Sequence, residues 1–147
     1  MKKIEFLALL ILTIFVSCTS NNTNRPINAI PEYGHQEKSE MQLQADQNFL
    51  DEIRGRESET FIALIDEGWW YLKQGDSITA VKRFNQAWLI DSTRFETYWG
   101  FAAAEKEIAN FETSRLYYEK ALALCKDSEL QEIVNKELSE LLNKKDK

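Results

Sequence analysis

The chain predicts an all-α fold, a short antiparallel array of helix pairs, on three observations. Residues 61–90 and 95–124 repeat one another at an offset of 34 residues, a period at which two helices and a turn stack on the next such unit. Within each copy the large apolar side chains recur every three or four residues, which puts them on one face of a helix. Residues that start and stop helices stand at the boundaries of these stretches.

The repeat is legible position by position. Gly68 meets Ala102, Gly75 meets Ala109, Phe84 meets Tyr118, Ala87 meets Ala121, Trp88 meets Leu122 and Ile90 meets Leu124. Small side chains fall on small ones and large apolar ones on large apolar ones. Such an array works by offering a surface.

Before the repeat, Lys2 and Lys3 precede an apolar run from Phe6 to Val16. Eleven residues fall short of the about 20 that cross a bilayer, so residues 1–17 read as a secretory signal peptide. Phe15-Val16-Ser17-Cys18 resembles a bacterial lipobox, although Phe15 stands where Leu is usual and Glu5 is unusual in a basic leader. The resemblance implies lipidation at Cys18, which would become the first mature residue. Thr19 rather than Asp behind the cysteine implies the outer membrane, and the absence of acidic residues over 19–24 favours the periplasmic face. Residues 18–38 hold both prolines and many small polar side chains. They read as a disordered tether reaching about 60 Å at ~3.3 Å per residue.

Ser39 with Gln42 fits a capping box, and Met41, Ala45, Phe49 and Ile53 make a thin apolar stripe on a first helix within 39–57, either a solvent-facing cap on the array or a segment that docks on a partner. The two repeats occupy 58–128. Ser58 is the expected N-cap of the first helix, which carries Phe61, Leu64, Ile65, Gly68, Tyr71 and Leu72. Gly75 supplies a left-handed stop and Asp76 caps the helix over 77–90. Thr93 with Glu96 predicts a second capping box, and Ala109-Asn110 the next turn. Ser128 with Gln131 predicts a third, opening a helix in 129–147 whose Leu130, Val134, Leu138 and Leu141 cover the apolar side of the second repeat.

The two copies resemble tetratricopeptide repeats. The resemblance rests on Gly68 and Ala102, on Ala80, Phe84, Ala87 and Trp88, and on Tyr118, Ala121 and Leu122; Ser114 departs from it where Ala is usual, and Ser92 and Lys126 where Pro is usual. In that family the first helix of each pair lines a binding groove. Carried over, the groove residues are Ile62, Ile65, Trp69 and Lys73 with Glu96, Trp99, Ala103 and Lys106. The Lys and Asn with which the best-known members grip a C-terminal carboxylate are replaced here by Ile65 and Trp69. An apolar and aromatic strip stands in the clamp's place, with Trp70 beside it, and Trp is enriched among binding hot spots.

Other function classes have little to build on. The chain carries 18 basic and 24 acidic side chains, and loss of Lys2, Lys3 and Glu5 with the leader leaves 16 and 23, a net charge of −7. That balance opposes nucleic acid and anionic lipid. His35 is the only histidine, and Cys125 is the only thiol besides Cys18. With no phosphate loop, metal-ligand spacing or nucleophile beside a base, the expectation is no enzyme, no metal and no cofactor. The reading is a lipid-anchored scaffold or adaptor that binds a protein partner in an envelope assembly such as a secretion system. The alternatives are a glycan binder using Trp69, Trp70 and Trp99, or a self-associating structural lipoprotein.

Overall fold

The structure, a computed structural model, describes residues 25–145, with side chains to residue 143. Six α-helices follow in order: α1 over Glu40–Glu52, α2 over Glu57–Lys73, α3 over Ser77–Ile90, α4 over Phe95–Glu107, α5 over Phe111–Leu124 and α6 over Ser128–Lys145. No strand occurs among the described residues. From α3 onward, connections of three or four residues turn each helix back on the one before it, as short helix–helix loops do, whereas α1 lies against α3. The result is the expected all-α array, with α2 packed on α3, α4 on α5, and the pairs joined through α3 and α4. The signal peptide and Cys18 lie outside the described residues.

Phe84 holds the two pairs together. It is fully buried on α3 between α2 and α4, in a space that exists because both neighbours present glycine to it. A Cβ on Gly68 would lie 2.3 Å from the ring, and one on Gly100 2.5 Å from it. Phe101 closes the slot edge-on at 6.2 Å. Gly100 lies 34 residues beyond Asp66, so the repeat alone does not mark it. Ala80, Val81, Ala102, Tyr118, Ala121 and Val134 complete a core at close packing, where volume changes of a methyl group are felt. The Ser114 departure also has a structural use: its hydroxyl, fully buried, donates to the Ala102 carbonyl at 2.8 Å and links α5 to α4.

The helix ends follow the sequence in part. The Ser39–Gln42 capping box forms on α1, Gly75 adopts φ 80°, and Asp76 accepts from the Thr79 N–H at 2.9 Å. Three other expected caps do not form. α2 begins at Glu57, one residue before Ser58, and the Glu57 carboxylate instead accepts from the Gly55 N–H. Thr93 donates its N–H and hydroxyl to Asp91, and Glu96 pairs with Arg94, so the expected box before α4 is replaced by an aspartate turn. Asp127 accepts from the N–H groups of Glu129 and Leu130, while the Gln131 amide turns back to the Cys125 carbonyl. Asp127 thus takes the capping role on α6, as suits a carboxylate acceptor at N–H groups, whereas α4 has Arg94 at its N-cap and no side-chain cap.

The largest departure from the sequence reading is N-terminal. Residues 25–38, expected to be part of a disordered tether, lie as an ordered strap across the outer face of the array. A 3-10 turn at Ile27–Ala29 and a left-handed run from Glu32 to His35, with φ between 50° and 63°, shape it. Left-handed geometry costs non-glycine residues roughly 1–2 kcal/mol each, so surrounding contacts must hold it. They do so at several points. Ala29, Ile30 and Tyr33 are buried, and the Asn85 amide on α3 donates to the carbonyls of Asn28 and Ile30 at 2.9 and 2.8 Å. Tyr33 packs on Trp88, Lys38 lies over the Tyr33 ring, and Glu32 receives Lys120 of α5 at 2.7 Å. Arg25 makes a bidentate pair with the fully buried Glu105 at 2.7 and 3.2 Å. Composition favoured a tether because only a few of these residues are large and apolar; the ordering comes from partners 55 to 88 residues away.

Candidate functional site

The face opposite the strap is formed by α2 and α4, with α6 at its end. Its centre is a chain of aromatic rings running inward. Phe95 stacks on Trp99 one helical turn later, with centroids 6.4 Å apart and an angle of 17°. Trp99 meets Trp69 of α2 edge to face at 5.2 Å, and Trp69 meets Phe84 in the core at 5.9 Å. These geometries suit the ring quadrupoles. The offset of 34 residues explains why the two helices bring such side chains together: α2 and α4 hold equivalent places in successive pairs, side by side.

The eight residues that the sequence assigns to a groove divide into three groups. Ile65 and Ala103 are buried and belong to the core, a correction with a simple cause: α2 and α4 pack so closely that side chains between them are covered. Trp69 and Trp99 are half-buried against that core and present only part of their rings. Ile62, with 54% of its surface exposed, and Lys73 are open to solvent; Glu96, paired with Arg94, and Lys106 are partly so. Trp70, named beside the groove, is 57% exposed and leans on Tyr71. The solvent-facing strip thus runs from Ile62 and Trp70 past the Trp69–Trp99 edges.

α6 extends the same face, and sequence reasoning passed over it. Glu137 accepts at one oxygen from Trp99 Nε1 at 2.9 Å and from the Tyr118 hydroxyl at 3.0 Å, tying α4, α5 and α6 together. Burial, and then the Glu137 carboxylate, push the Tyr118 phenol above its ordinary 10.0. One turn earlier on α6, Ile133 is exposed, on the same stripe as Glu137. The signal was present: one further step of 34 carries Trp99 to Ile133 and Ala103 to Glu137.

A second recess lies on the strap side, bounded by α1, α3 and the strap. It encloses about 500 Å³ and mixes Ile27, Phe49 and Leu89 with Gln42, Lys82 and Gln86. α1 covers it lightly. No residue within α1 is buried, and Met41 projects into solvent, so α1 acts as a loosely seated cap anchored by Phe49 and by Ile53 just beyond its end.

His35 is exposed beside Glu32, and Cys125 is buried at the end of α5 with its Sγ 3.5 Å from the Asp127 carbonyl. Among the described residues, no three His, Cys, Asp or Glu side chains form a group able to hold a metal, and no helix is long and apolar enough to cross a membrane. No family model, curated protein or solved structure matches the chain.

Proposed function

We propose that the protein is a lipid-anchored adaptor of the tetratricopeptide-repeat type, held by Cys18 at the periplasmic face of a bacterial outer membrane. It docks a protein partner on the α2/α4/α6 face, as an accessory subunit of an envelope assembly such as a secretion system. The observation that carries this reading is the asymmetry of the array. Its outer face is covered by the chain's own strap, whereas the opposite face keeps Ile62, Trp70 and Ile133 exposed around half-covered Trp69 and Trp99. Large exposed apolar groups around a rigid aromatic centre are the composition of a docking surface rather than of a free one. A sugar platform fits less well, because Trp69 and Trp99 meet at 69° and offer edges, not parallel faces. Anchoring supports the adaptor role by confining the partner to the membrane and raising its local concentration.

The test replaces exposed residues, so that folding is spared. Ile62→Ser together with Trp70→Ala is expected to abolish co-purification of the partner from detergent-solubilised envelopes while leaving the helical circular dichroism unchanged. Undiminished co-purification would count against the face. Oligosaccharide quenching of the tryptophan fluorescence with no protein recovered would point to glycan binding instead.

A further inference from the structure

The strap fixes where the N-terminal part of the chain leaves the folded domain. Its first described residue, Arg25, is clamped by both guanidinium nitrogens to Glu105 near the end of α4. Glu105 also accepts from the Asn110 amide at 2.6 Å, and its own carbonyl receives the Asn110 N–H at 2.9 Å. The exit point is therefore the α4–α5 turn. That same turn carries an exposed apolar pair: Ile108 is 41% exposed and Phe111 38%. Ala109 between them takes φ 60°, a left-handed geometry that alanine seldom adopts and that turns the chain sharply between the two helices.

The covalent distance is short. Seven residue steps from Cys18 to Arg25 reach at most about 25 Å, less than half of the about 60 Å expected of a tether that ran to the first helix. If the anchor is at Cys18, the α4–α5 turn is the part of the domain that the chain holds nearest to the lipid. We infer that Ile108 and Phe111 seat this turn in the interface of a phospholipid bilayer, with the strap acting as a fixed standoff between lipid anchor and array. Charges near the turn are mixed: Lys106 and Arg115 stand beside Glu107 and Glu112, with Arg115 paired to Glu112. The occupant is accordingly a zwitterionic lipid surface, for which no excess of basic residues is needed. The α2/α4/α6 face then stands on the side of the module, open to a partner lying along the membrane. This orientation rests on the proposed anchor at Cys18.

The experiment uses the full chain produced with its leader, purified from membranes and placed in phosphatidylethanolamine-rich vesicles with brominated acyl chains. A bimane probe is attached at Phe111→Cys or, as the distant reference, at Ser92→Cys in the α3–α4 turn. Cys125 is buried and does not compete for label. The expected result is a blue-shifted emission at 111 with bromine quenching severalfold stronger than at 92. Inserting a flexible Gly/Ser spacer of about 20 residues between Asn24 and Arg25, with an r.m.s. span of roughly 25 Å, is expected to reduce that quenching to the level at 92. Equal quenching at the two positions in the unspaced protein overturns the inference, as does quenching at 111 that the spacer leaves unchanged. A blue shift that grows with protein density and shows no bromine quenching marks a second copy of the chain as the occupant and also overturns it. The mass of the purified chain reports separately on the anchor: a lipid adduct on Cys18 with equal quenching defeats only the orientation, whereas an unmodified Cys18 defeats the anchor and the inference resting on it.

Discussion

The two faces of the array use polar groups in opposite ways. On the strap side, polar side chains are spent inward: Asn85 caps two carbonyls of the strap, Glu105 holds Arg25, and Lys120 reaches Glu32. On the α2/α4/α6 side the main polar link is the half-buried Glu137, which secures α6, and beyond it the apolar Ile62, Trp70 and Ile133 stay open to solvent. One face is therefore largely completed by the chain itself, with Met41 and Leu43 of the loosely seated α1 exposed at its edge, and the other is left incomplete at its aromatic centre. In an array of only two pairs, each of which needs a neighbour to bury its apolar side, that difference separates the part that makes the fold from the part available for binding.

The largest expected effect is in the core that both faces share. Gly68→Ala and Gly100→Ala each drive a methyl group into the Phe84 ring, and each is expected to lower the unfolding free energy by roughly 1–3 kcal/mol, the usual cost of overpacking. Phe84→Leu in the Gly100→Ala background should recover part of the loss, as contacting residues are non-additive. Denaturant melts of the single and double variants measure this. Unchanged unfolding free energies in both Gly68→Ala and Gly100→Ala would refute the slot.

A smaller and more local effect belongs to the strap side. Asn85→Ala leaves the Asn28 and Ile30 carbonyls without their donor, at a cost of about 1–3 kcal/mol. Amides over 27–35 should then exchange hydrogen on the order of tenfold to a hundredfold faster, while amides of α4 and α5 change little. Uniform acceleration through all six helices would mean that the strap is part of the cooperative core. The least effect on stability is expected at Ile62 and Trp70, whose replacement by Ser and Ala should shift it by only about 0.5 kcal/mol or less, as exposed positions do.

How much was legible in the sequence follows the range of the interactions. Period and local spacing identify α2 to α5, and the α3 limits agree to the residue, because these signals lie within one or two turns of the chain. Gly75 and Asp76 are legible for the same reason. The strap was not, since its order depends on Asn85, Glu105 and Lys120, which no local pattern connects to residues 25–38. The boxes at Thr93 and Ser128 did not form because Asp91 draws the Thr93 N–H and hydroxyl into its own turn and Asp127 caps α6 one residue earlier. At the candidate site, the placement of Trp69 and Trp99 on equivalent helices follows from the repeat, whereas their edge-to-face contact and the burial of Ile65 and Ala103 depend on how closely α2 and α4 approach, which no local pattern sets.

The central claim is that the uncovered face is the working one, and site-specific photocrosslinking in intact cells tests it most directly. Benzoylphenylalanine placed at Ile62 or Ile133 should give a discrete adduct with another envelope protein, and the same group at Leu116, exposed on α5, should not. Adducts confined to Leu116, or none from Ile62 and Ile133 while the protein sits in its membrane, would contradict the account.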